Sequence, residues 1–109
     1  MDLVCALLVA AAIVTEVAGT LLMKYTDGFT KLFPSVLMFV CYAISIVSLA
    51  VAVKKLDIGV IYAIWAGAGV ALVTLAGVML FGEPLTLTKV FFISLILVGV
   101  VGLNLTGSV

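Results

Sequence analysis

The chain has 109 residues, 67% of them apolar and 9% charged, with zero net charge and a mean hydropathy of +1.57. A water-soluble domain carries about 25% charged and about 45–50% apolar residues, so water is excluded as the solvent for most of this surface. Five lysines without arginine or histidine offer no clustered basic face, which excludes nucleic acid as a partner.

Polar punctuation divides the sequence into four apolar stretches, each close to the ~20 residues that a bilayer-spanning helix needs. Unbroken apolar runs of this length also exclude a membrane β-barrel, whose strands alternate polar and apolar residues over about ten positions. The first span covers about 3–23 and stops at Lys24-Tyr25-Thr26-Asp27-Gly28, where Asp-Gly is a turn signal and Lys24 can reach the headgroups. Its N-terminal side lacks the positive flank of a secretory signal, so it is expected to stay as a membrane span. The second covers about 34–53, starting at Pro34 and closed by Lys54-Lys55-Leu56-Asp57; the short loop after it makes spans two and three antiparallel neighbours. The third covers about 58–81; its 24 residues would be about 36 Å long against a hydrocarbon core of about 30 Å, so it must tilt or kink, with Gly67 and Gly69 the expected kink. Gly82-Glu83-Pro84 ends it, and the fourth span covers about 88–105. The expected architecture is a single all-α, four-helix transmembrane domain over residues 1–109. Cys5 and Cys41 lie within apolar runs as small buried hydrophobes; no metal or cofactor is expected.

Orientation in a membrane follows the lysines of short loops. Lys24, Lys31 and Lys89 fall on one side, Lys54, Lys55 and the terminal amine on the other. Such a balance fits insertion either way up, or a single topology set by loop length or assisted insertion.

Glu16 is the one charge well inside a span. Near the bilayer midplane a carboxylate costs at least ~2.5 kcal/mol, and such groups by default face an interior cavity and mark an ion or substrate path. The alternative is a protonated acid that hydrogen-bonds one helix to another and moves nothing. No fixed cation of the chain lies at that depth, which leaves a proton or a cationic ligand to neutralise it, in competition for one site. Helical spacing puts Val9, Ala12, Ile13, Gly19, Thr20 and Met23 on its face, with Ala12 and Gly19 leaving room for a partner helix or a ligand. Trp65, Tyr62, Tyr42 and Ser45 are the polar and aromatic residues of spans two and three that can line a cation cavity, against the alternative of an interfacial aromatic belt. In span four, Leu95, Gly99, Gly102 and Thr106 recur at helical spacing and suit either a close helix seam or lipid. Four such helices hardly enclose a cavity alone, so a dimer with this stripe at its seam is expected, bringing two copies of Glu16 into one chamber.

Thr15-Glu16-Val17-Ala18-Gly19-Thr20, the run from Leu22 to Ser35 containing Gly28-Phe29-Thr30-Lys31-Leu32-Phe33-Pro34-Ser35, and Tyr62-Ala63-Ile64-Trp65-Ala66-Gly67-Ala68-Gly69 resemble the small multidrug resistance transporters over nearly the whole chain. The resemblance implies a bacterial inner-membrane homodimer or paired heterodimer, often antiparallel, that exchanges protons for lipophilic cations by alternating access. It assigns the shared proton and drug site to Glu16, aromatic contacts to Trp65, Tyr62 and Tyr42, and a switching kink to Gly67 and Gly69. The guanidinium-exporting branch has a tryptophan where this chain has Gly19 and a lysine where it has Asn104, so the likeness favours the multidrug, quaternary ammonium branch. Two departures stand out: Asp57 replaces a frequent proline, and Phe92 replaces a glycine of the fourth-span stripe, which shifts the expected seam toward Gly99. Alternatives are a guanidinium or polyamine exporter of the same fold, one subunit of a heterodimeric pair, or, more remotely, a membrane scaffold or a proteolipid. A soluble enzyme has no support, since the chain carries no histidine, metal cluster or phosphate loop.

Overall fold

The computed structural model describes residues 3–106 as four helices: α1 (Leu3–Tyr25), α2 (Leu32–Ala52), α3 (Ile58–Phe81) and α4 (Leu87–Thr106). Each is long and apolar enough to cross a membrane. The terminal amine weighed in the orientation argument lies outside the described residues.

α1 continues to Tyr25, and α2 begins at Leu32 rather than Pro34. Pro34 sits in the first turn of α2, where the missing N–H has no intrahelical acceptor, so proline does not mark the boundary itself. Ser35 closes that turn, its Oγ donating to Lys31 O at 2.6 Å. α3 ends at Gly82, whose φ of +64° is the left-handed cap that glycine adopts without strain, and Glu83 N–H bonds back to Gly77 O at 3.3 Å. The α1–α2 loop is tighter than a single Asp-Gly turn: Asp27, Gly28 and Phe29 all have positive φ. Thr26, 1% exposed, organises it, because its Oγ1 donates to Met23 O and accepts Phe29 N–H while its carbonyl accepts Thr30 and Lys31 N–H.

α1 packs most extensively on α2 and less on α3, and α4 packs on α3. α1 and α3 run in the same direction and in step, with Val9 beside Ile61 at one end, Glu16 beside Gly69 midway and Thr20 with Val73 beyond. The buried apolar core is small, centred on Val9, Ala52 and Ile61 near the α2–α3 loop. Most large apolar side chains face outward, which is the expected arrangement when the solvent is lipid. The whole measures 42 × 34 × 18 Å, about two helices thick given interaxial distances of about 8–10 Å, and an array that thin does not ring a cavity on every side.

Small residues set the α1–α2 seam. Ala12 is fully buried, and Ser45 Oγ donates to its carbonyl at 2.7 Å. A Cβ at Gly19 would stand 3.0 Å from the Tyr42 ring, so the glycine is what lets that ring lie on α1. Ser45→Ala is expected to lower stability by about 1 kcal/mol, the usual worth of an interhelical hydrogen bond in a membrane, without changing cation affinity. Unfolding in mixed micelles alongside a binding titration checks both halves of that expectation.

α3 is helical without interruption through Gly67 and Gly69. Both glycines are buried and serve close approach: Val100 of α4 fills the space beside Gly67, and the Glu16 carboxylate fills the space beside Gly69. None of α4's described residues is buried, and Leu95, Gly99 and Gly102 are all exposed.

Candidate functional site

Glu16 is the fourteenth of 23 residues in α1 and projects toward α3. Its two carboxylate oxygens have different surroundings. Oε1 accepts a hydrogen bond from Thr20 Oγ1, one turn on, at 3.0 Å. Thr20 Oγ1 is also 2.7 Å from Tyr42 OH. A threonine hydroxyl has one proton, so when it donates to Glu16 the second bond must be donated by Tyr42. The chain Tyr42→Thr20→Glu16 therefore carries two O–H donors toward the carboxylate. Oε2 is buried and has no hydrogen-bond partner, and a Cβ at Gly69 would lie 2.8 Å from it.

These atoms border a cavity of about 270 Å³, lined by Glu16 and Thr20 of α1 and by Trp65, Ala66, Gly69, Val70 and Val73 of α3. Trp65 Nε1 is likewise buried and unpartnered. Two residues that border one mostly apolar cavity thus each carry a buried polar atom without a partner, an acceptor on Glu16 and a donor on Trp65. Each such group left unmade costs free energy, more so for a charged one, and buried polar atoms of this kind concentrate at functional sites. The lysines do not reach them: Lys24, Lys31, Lys54 and Lys55 are exposed at helix ends or in loops, and Lys89 bonds Pro84 O.

The expected site residues divide into two groups. Glu16, Thr20, Trp65 and Gly69 share the cavity, and Tyr42 joins it through Thr20. Ala12, Gly19 and Ser45 lie in the α1–α2 seam, and Ile13 packs beside the Val9–Ala52–Ile61 core. Tyr62 is 61% exposed; its ring meets Trp65 edge-on at 5.4 Å but borders a separate groove with Ile46, Leu49 and Ile61. Gly67 faces α4, not the cavity. Ala66, Val70 and Val73 were not anticipated. Their spacing matches one helical face with Gly69, but α3 is apolar on every side, so nothing in composition separated this face from the others.

A second cluster lies at the same end of the molecule as the α1–α2 loop. Lys24 Nζ is 2.6 Å from Glu83 Oε2 and 5.0 Å from the centre of the Phe81 ring, which itself packs on Tyr25 at 5.5 Å. The Lys24 ammonium, first by its hydrogen bond and then by its charge, holds the Glu83 carboxyl below the usual carboxylate range. Lys24, expected at the headgroups, has its partner in a different loop, and only the fold brings the two together.

Four helices long and apolar enough to span a membrane, with one carboxylate midway along the first, define a small polytopic membrane protein. Comparison with known proteins gives the family directly: residues 4–96 match the Small Multidrug Resistance protein family model, and the chain belongs to that family. It is 44% identical over 103 residues to the multidrug resistance protein mmr of Mycolicibacterium paratuberculosis, covering 94% of this chain and 96% of the relative. It is 43% identical to the multidrug transporter EmrE of Escherichia coli, covering 86% of each chain. It is 38% identical to the quaternary ammonium compound-resistance protein QacG of a Staphylococcus strain, covering 88% of this chain and 90% of the relative. Four spanning helices and bacterial relatives of this kind make it a multi-pass protein of the bacterial inner membrane.

Proposed function

We propose that this chain is a subunit of a proton-coupled antiporter that exports lipophilic and quaternary ammonium cations, with protons and cation competing for Glu16. The observation that carries the reading is Glu16 Oε2, buried against Gly69 without a donor, on a residue that borders the same cavity as Trp65. A carboxylate so placed is neutralised by a proton or by a cation, and an aromatic ring adds cation–π attraction of ~2 kcal/mol or more once water is excluded. Names of relatives that include multidrug transport and quaternary ammonium resistance point to the same cargo.

Alternating access needs a second subunit. The cavity has walls from α1 and α3 alone, in an array about two helices thick, while α4 leaves Leu95, Gly99 and Gly102 bare. A homodimer or paired heterodimer joined through this stripe closes the chamber, and an antiparallel pair reproduces with two chains what inverted repeats do within one. Gly67 and Gly69, with no side chains to brace α3, are the positions where it bends as the chamber switches sides.

Titration of tetraphenylphosphonium into detergent-solubilised protein at several pH values tests the competition. A proton and the cation compete for one carboxylate in this reading, so affinity is expected to fall on acidification. Affinity that is level across that range rejects a single shared carboxylate.

A further inference from the structure

Beyond Glu16, the groove between α1 and α3 continues toward the loops. A second cavity of about 270 Å³ shares Thr20 and Val73 with the first and ends at Lys24, Phe81 and Glu83. Its end wall is built. Gly77 is buried, and the space where its Cβ would stand is taken by Glu83 Oε1, so the glycine forms a notch that seats the carboxylate. The left-handed cap at Gly82 turns the chain so that Glu83 folds back over α3, and its N–H is held by Gly77 O. Against this carboxylate and over the Phe81 ring lies the Lys24 ammonium. Lys89, the other cation near Glu83, is tied to Pro84 O at 2.6 Å. A carboxylate paired with an aromatic face is the chemistry that recognises an organic cation, and here a cation of the chain already occupies it.

We propose that Glu83, Phe81 and the Gly77 notch form a second cation subsite at the mouth of the groove, filled by Lys24 as a tethered stand-in until a lipophilic cation displaces it. Lys24 and Glu83 side chains are 56% and 40% exposed, and ion pairs so open to solvent hold together weakly, so a hydrophobic cation that also covers the ring competes effectively. While the pair is intact, the Lys24 ammonium holds the Glu83 carboxyl below the usual carboxylate range. This subsite deepens the proposed export of cations and rests on it for its role, but not for its detection.

The test uses the full chain with Glu16→Gln, which silences the deep carboxylate, and tetraphenylphosphonium as probe. Weak binding is expected to persist, to tighten about fivefold on adding Lys24→Met, the competition an exposed ion pair can exert, and to lose that gain on adding Glu83→Gln. Amide resonances of Gly77 and Gly82 are expected to shift during the titration. Absence of binding in the Glu16→Gln/Lys24→Met protein, or binding there that is unweakened by Glu83→Gln, overturns the subsite. If Glu83→Gln impairs folding, Phe81→Leu replaces it: weaker binding supports the subsite and unchanged binding overturns it. Failure of the export reading is seen in a different comparison, wild type against Glu16→Gln across pH.

Discussion

Glu16→Gln is expected to abolish cation-induced proton release and to reduce cation affinity at the deep site at least about thirtyfold. Glutamine has the same shape and still accepts from Thr20 at Oε1, so the helix and its Tyr42–Thr20 hydrogen-bond chain are retained. What is lost is the charge, and removing one partner of a buried charge pair costs about 2–5 kcal/mol, of which the lower bound is about thirtyfold in affinity. A lightly buffered titration read by a pH indicator gives proton release directly. Glu16→Asp keeps the charge but draws it back toward α1 by one methylene, away from Gly69; exchange is expected to survive with a displaced pH dependence. Proton-driven uptake by Glu16→Gln protein in liposomes would reject the mechanism.

The second large effect is expected at a residue without a side chain. In Gly69→Ala the new methyl carbon would stand 2.8 Å from Glu16 Oε2 and 3.7 Å from its Cδ, so the carboxylate must move. Alanine is the better helix former by about 1 kcal/mol, so loss of α3 is not the anticipated outcome. Overpacking of about 1–3 kcal/mol is instead absorbed by the carboxylate, and cation affinity is expected to fall about tenfold while the protein remains folded. Gly59→Ala on the same helix is the matched control, because nothing lies within 4 Å of its Cβ position. Equal affinity in folded Gly69→Ala and wild type would show that contact with Gly69 does not position the carboxylate.

Membrane spans are the part of this molecule most legible in sequence, because lipid demands about 20 apolar residues whatever the neighbours do. Faces were much less legible. Thr20 could be placed beside Glu16 because both lie on one helix with a fixed spacing, and Trp65 and Gly69 were singled out by residue type. Ser45 and Tyr62 also fit a polar or aromatic cavity lining, but the rotation of α2 and the exposure of α3 depend on which helix each packs against. In a soluble protein the apolar stripe would have revealed that rotation; here the apolar residues surround the helix and the stripe disappears. The same absence hid Val70 and Val73. Glu83 was read as part of a helix stop, and its partner and its seat at Gly77 required the α1 and α3 ends to be in one place.

Gly67 and Gly69 are two positions apart, about 200° around a helix, so they look in opposite directions from α3. One receives Val100 and the other the Glu16 carboxylate. Over this short stretch the partition between the chamber and the outermost helix thins to backbone at two points, with Ala66 and Val70 the side chains beside them. In the proposed export cycle, a cation bulky enough to push that carboxylate aside presses on this thinned wall, and little stands between it and α4 to absorb the load.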